Sequence, residues 1–207
     1  MTSAFRFKIS DPAFKYLKLQ RGAIADFSYD RKLWERKYHE SLHCDFSSIA
    51  PFLPPQCGAV LDIGSGLGGI DAMLSKAYGG VPEIYLLDGM DDQPILQKHN
   101  RTFSRFPHAR DFLTANGVPA SRIFAHNPKT LLEPVKVDLI LSFQSYCFHY
   151  NPETYLEFVR ACASPGAILI FDVRSDYRTW HRVLNAEFQR VGIALEGQKF
   201  QRVVFRA

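Results

Sequence analysis

The chain has 207 residues, 46% of them hydrophobic and 22% charged, with a formal net charge of +4 at pH 7. That length suits one sizeable α/β core and is short for two, and the composition is that of an ordinary globular protein, so disorder is not the expectation. The basic residues form no stripe interleaved with aromatics, so nucleic acid is not an expected partner.

No apolar run approaches the ~20 residues of a membrane span, and Met1 to Ser10 lacks the continuous apolar core of a secretory signal. Cys44, Cys57, Cys147 and Cys162 show no paired spacing, which favours reduced thiols and a soluble, cytoplasmic protein. Without repeats or a Gly/Ser linker, one domain is expected over 1–207. Residues 1–55 would form an N-terminal helical cap and 56–207 the core.

The first predicted element is an amphipathic helix from Asp30 to His43, with Leu33, Trp34, Tyr38 and Leu42 on one face and Asp30 as N-cap. Pro51, Pro54 and Pro55 then break the chain. Ala59–Ile63 reads as a buried strand, followed by a glycine-rich turn and a helix from Gly69 to Tyr78. Further strands are expected at Glu83–Asp88, Arg122–Ala125, Val137–Ser142 and Ala167–Asp172, with helices at Pro152–Cys162 and Tyr177–Val191. Short apolar strands alternating with helices predict a mostly parallel sheet covered on both faces. Ile193–Leu195 and Phe200–Phe205 read as a closing hairpin.

Asp62-Ile63-Gly64-Ser65-Gly66-Leu67-Gly68-Gly69 joins the first strand to its helix. Glycines there let the backbone turn tightly and approach a ligand beneath the positive end of a helix. Gly64, Gly66 and Gly69 also fit the dinucleotide pattern G-x-G-x-x-G, with Asp88 about 20 residues on, where a ribose-binding acid belongs. The loop therefore indicates an adenosine-type cofactor, with NAD(P) and S-adenosylmethionine both open.

The segment from Val60 to Gly68 resembles motif I of the class I S-adenosylmethionine-dependent methyltransferases, which carries an acid two positions before its first glycine. The N-terminal helical segment and the terminal hairpin are also similar to that family. The resemblance implies a Rossmann-like methyltransferase fold with a mostly parallel seven-stranded sheet. It implies helices on both faces, an antiparallel C-terminal strand and an N-terminal helical extension. It also implies S-adenosyl-L-methionine as cofactor, bound by Gly64, Ser65, Gly66 and Gly68. Asp62 would stand near the methionine ammonium and Asp88 would accept both ribose hydroxyls. Gly89 would let the adenine lie against the backbone, and Asn127 would hold its amino group.

Ser142 to Tyr150 follows the fourth strand at the sheet's carboxyl edge, where ligands bind in open α/β folds. By the resemblance, Ser142, Phe143 and Gln144 face the methyl donor and the acceptor. The segment lacks the Asn/Asp-Pro-Pro-aromatic motif of base amine methylation and the Pro-Cys of cytosine methylation. His149 is the candidate base for an acceptor hydroxyl, since imidazole titrates near neutrality. Tyr146 and Tyr150 are candidates to orient substrate. Asp172 and Arg174, ending the fifth strand, would bind substrate or pair with each other. The run from Ser145 to Leu156 is similar to segments of bacterial small-molecule and sugar O-methyltransferases, which implies a hydroxyl acceptor methylated by in-line displacement. No metal is expected, because Ser142 and Gln144 stand where metal-dependent relatives carry carboxylates.

His39-Glu40-Ser41-Leu42-His43 matches the zinc-protease pattern H-E-x-x-H. The third ligand of the longer metalloprotease motifs is missing after Cys44, and the segment precedes the α/β core. A solvated helix face is the expected role.

Overall fold

The computed structural model describes residues 6–20, 30–88, 106–126 and 133–207. Two helices precede the sheet: α1 (Asp11–Gln20) and α2 (Arg31–Ile49). Asp30 caps α2 as expected, its carboxylate accepting from the amides of Lys32 and Leu33. Trp34, Tyr38, Leu42 and Ile49 form the buried stripe.

The sheet begins at β1 (Ala59–Ile63), which is buried throughout. After it come α3 (Gly69–Ala77), β2 (Glu83–Leu87), α4 (Phe106–Ala115), β3 (Ile123–His126) and β4 (Val137–Ser142). β5 (Ser145–Tyr150), α5 (Leu156–Cys162), β6 (Ala163–Arg174), α6 (Arg178–Glu187), β7 (Gln189–Glu196) and β8 (Phe200–Arg206) complete the described chain. Seven strands form one sheet in the order β3-β2-β1-β4-β6-β8-β7. β1 pairs in parallel with β2 and β4, β2 with β3, and β4 with β6. β8 runs antiparallel to both β6 and β7.

The period-two alternation of the strands divides the core between two faces. Val60, Ile84, Leu139, Leu141, Ile168 and Ile170 pack beneath α1 to α4. Leu61, Leu87, Ile140, Leu169 and Phe171 pack against α5 and α6 on the other face. Near-continuous apolar strands are the consequence of covering both faces.

Element ends shift from the expected ones at several places, and three of the differences have a clear physical cause. Ser145–Tyr150 is a strand, β5, lying outside the seven-stranded order. Its alternation is disguised by Cys147, which takes a left-handed φ of 65° and puts Tyr146 and Cys147 both in the core. β6 begins at Ala163 rather than Ala167, because Val137 offers it a partner there. The expected helix to Val191 stops at Glu187. Gln189 onward pairs with the edge of β8, and tertiary pairing overrides local helical pattern.

Candidate active site

The strand order reverses between β1 and β4, and both point their carboxyl ends at the same crevice. In an open α/β sheet that crevice is where ligands bind. The glycine loop sits there. Gly64, Gly66 and Gly68 take φ values of 81°, 58° and 76°, left-handed conformations that disfavour side chains. The Gly64 amide donates to Leu87 O (2.7 Å) and the Gly68 amide to Ser65 O (2.9 Å), which folds the loop tightly onto the start of α3. Packing also leaves little room for a side chain at Gly64 and at the neighbouring Gly69. A Cβ at Gly64 would lie 2.0 Å from Ser145 Oγ, and one at Gly69 would strike Leu42 and the Tyr38 hydroxyl on α2.

Asp88 follows β2 directly. It is 9% exposed, and its Oδ2 accepts a 2.7 Å hydrogen bond from the Gly66 amide. The ribose-candidate acid therefore also holds the middle of the glycine loop. Tyr150 and Tyr155 lie within the field of Asp88. Burial, with that carboxylate adding to it, raises both phenols above their ordinary value, so each stays a neutral hydrogen-bond donor at neutral pH. Tyr155 was not singled out from sequence, because one more aromatic after a strand carries no signature.

Asp62, the penultimate residue of β1, is buried and faces Asp71 on the first turn of α3. Asp71 is fully buried, and among the described residues neither of its carboxylate oxygens has a hydrogen-bond partner. The Ser65 hydroxyl is buried without a partner in the same sense. Burial and the neighbouring carboxylates push Asp62 well above the usual carboxylate range. Burial raises Asp71 to about 6. Asp71 was also missed from sequence; the available signal was an acid within the apolar run Gly69–Leu74, which α3 buries completely.

Beyond β4 the sequence reading needs correction. Ser142 is buried, and its hydroxyl donates to Ile63 O (2.7 Å) while accepting from the Tyr146 amide (2.9 Å). That side chain ties β4 to β1 and β5. Tyr146 is likewise a core residue. Its ring packs edge-on to Tyr155 and Phe171, and its hydroxyl donates to Pro152 O at 2.6 Å, leaving no face for substrate. Asp172 and Arg174 do not pair. Arg174 binds Asp176, while Asp172 receives Arg202 through two bonds of 2.7 and 3.0 Å.

Arg202 is the centre of a buried network. Its third nitrogen donates to Asp45 (2.9 Å) and Ser48 (3.1 Å) of α2, and its guanidinium lies 3.7 Å from the Phe143 ring centroid. Asp172 in turn accepts from the Gln144 amide (3.2 Å), fixing Gln144 at a φ of 52° with its side chain exposed. The loop Phe143–Gln144 is thereby clamped from β6, β8 and α2 at once. His149 is exposed at the end of β5, its ring edge-on to Phe148, which stands beside Phe200 and beneath Arg174. Gly89 and Asn127 lie outside the described residues.

The H-E-x-x-H segment falls on α2. His39 Nδ1 accepts from the Phe7 amide (3.4 Å) and its ring packs on Phe7, while Glu40 pairs with Lys37 and Arg36. These are the contacts of a helix face. Among the described residues no helix is long and apolar enough to cross a membrane.

A parallel sheet reversing at β1/β4, an antiparallel β8 lying between β6 and β7, and a left-handed glycine loop make up a Rossmann-like fold of the kind found in class I S-adenosylmethionine-dependent methyltransferases. Solved structures share it. A methyltransferase from Geobacter sulfurreducens is 18% identical, with a TM-score of 0.55 over 97% of this chain and 93% of its own. A SAM-dependent methyltransferase from Aquifex aeolicus is 19% identical, with a TM-score of 0.54 over 78% of this chain and 89% of its own. No family model and no curated protein sequence matches the chain.

Proposed function

We propose that the protein transfers a methyl group from S-adenosylmethionine to a hydroxyl of a small molecule or sugar. The observation that carries the reading is the loop of Gly64, Gly66 and Gly68 at the β1/β4 switch point, held by Asp88. The residues present fit the cofactor. Asp88 provides a carboxylate at the loop, and the orphaned Asp71 carboxylate, facing Asp62, lacks the donors that a cationic ligand brings.

When bound, the cofactor supplies a methyl group on a positively charged sulfur. The chain's part is to position it. The glycine loop and Asp88 would hold the nucleoside, and Gln144, His149 and Tyr150 are the candidates for contact with the acceptor. Orientation of the reacting atoms is the main source of acceleration in such a site. Tyr150, kept neutral, donates a hydrogen bond to the acceptor, and His149 removes the hydroxyl proton as its oxygen attacks.

Thermal-shift and calorimetric titration test the reading. S-adenosylhomocysteine raises the melting temperature by mass action, and NAD does not. Asp88→Ala weakens S-adenosylhomocysteine by roughly 10- to 100-fold, the range of hydrogen bonds to a charged acceptor. Unchanged affinity in that variant overturns the assignment of Asp88, and stabilisation by NAD alone overturns the cofactor.

A further inference from the structure

We propose that Asp71 is a cofactor-binding residue. In this reading Asp62 and Asp71 form one buried carboxyl pair that takes up the primary ammonium of an α-amino acid, and they share a proton when that ammonium is absent. The inference rests on the cofactor reading above and extends it to a residue outside the glycine loop.

The geometry begins with two acceptors facing each other. Asp62 is the penultimate residue of β1, at 7% exposure, and Asp71 sits on α3 at 0%. The Asp71 carboxylate folds back against the loop, with Oδ2 3.2 Å from where a Cβ on Gly68 would lie. Asp88 adds a third negative charge near Asp62. Tyr38 of α2 brings its hydroxyl to Gly69, and α4 contributes the apolar Leu113. Among the described residues the facing Asp62 carboxyl is therefore the group that meets Asp71, and neither Asp71 oxygen has another side-chain partner.

Two buried carboxylates in contact cannot both remain ionised without a cation; one takes a proton and donates it to the other. A ligand cation that replaces this proton must also satisfy the oxygens. A sulfonium has no N–H to donate, whereas an ammonium has three. The pair therefore selects the amino-acid end of the cofactor. The raised proton affinity of both groups accords with this arrangement.

Proton release follows. Binding the ammonium expels the shared proton, so affinity for an amino-acid-bearing ligand increases with pH until the pair ionises unaided.

The test uses the full chain and two ligands, S-adenosylhomocysteine and 5′-methylthioadenosine, which lacks the amino-acid end. Calorimetry at pH 5.5 in buffers of different ionisation heat should show proton release with the first ligand and none with the second. Affinity for the first should rise by up to ~10-fold per pH unit towards neutrality. Asp71→Asn should weaken S-adenosylhomocysteine ~10- to 100-fold, abolish proton release and leave methylthioadenosine unchanged. The ligand-free melting temperature of Asp71→Asn should not fall, since the Asn amide donates to Asp62 in place of the shared proton.

Wild-type binding without proton release, or equal losses for both ligands, overturns the role of Asp71 while leaving the cofactor reading intact. Failure of the wild type to bind either ligand overturns the cofactor reading, and this inference with it. The wild-type proton measurement needs no variant to fold.

Discussion

Replacing Arg202 by Met separates a structural charge from a catalytic one. The substitution keeps the length of the side chain and removes the partner of Asp172, which is 0% exposed and accepts two of the guanidinium's bonds. Breaking one side of a buried pair costs about 3–5 kcal/mol, because the remaining charge stays buried and unpaired. In a protein of this size each kcal/mol lowers the melting temperature by roughly 2–4 °C, so a fall of about 6–20 °C is expected. Asp45 and Ser48 are half-buried and rehydrate at lesser cost.

The loss should depend on pH. Burial already raises Asp172 above its ordinary value despite Arg202, and the variant raises it further. A carboxyl that binds its proton more readily folded than unfolded stabilises the folded chain at low pH and loses that contribution as pH rises through the folded value. The deficit of Arg202→Met is therefore smaller at pH 5 than at pH 7. Arg202→Met combined with Asp172→Leu should recover much of the loss. Urea or thermal denaturation of the three proteins decides it. A deficit under about 1 kcal/mol in the single variant, or a double variant no better than the single, refutes the argument.

Two further outcomes follow from the site. Gly64→Ala places a Cβ 2.0 Å from Ser145 Oγ at a φ of 81° and should destabilise by about 2–4 kcal/mol, combining left-handed strain with overpacking; a melting curve within 1 °C of wild type contradicts it. His149→Ala should lower methyl transfer ~10²–10⁴-fold with little change in S-adenosylhomocysteine affinity, and should remove the rising limb of the pH–rate profile through the imidazole range; retention of that limb assigns the proton to another group.

Much of the fold was legible because buried parallel strands write themselves as apolar runs. Val137–Ser142 and Ala59–Ile63 were bounded as found, and Glu83–Asp88 stood out after a glycine–proline turn and ran one residue too long. The glycine loop and Asp88 were legible for a different reason: left-handed backbone and close packing leave glycine little competition. β5 was not, since a left-handed Cys147 breaks the alternation that identifies strands. Tyr146 and Ser142 look like site residues in one dimension, and only the positions of Pro152 and Ile63 show them committed to the core. Arg202, Asp172 and Asp45 are far apart in sequence and meet only when α2 docks on β8. Asp71 gave a weak signal, an acid inside a buried helix turn.

The pairing of β1 with β4 joins Val60 to Leu139, across more than a third of the chain, whereas β7 and β8 are neighbours in sequence. Contacts of long sequence separation form late, after loop closure has been overcome. The hairpin can assemble locally, but the crevice between β1 and β4 exists only once that closure is complete. Partly folded chains, however much secondary structure they hold, lack the site. Occupancy by an adenosine ligand therefore reports completed folding, and protects the whole sheet as a cooperative unit instead of stiffening one loop.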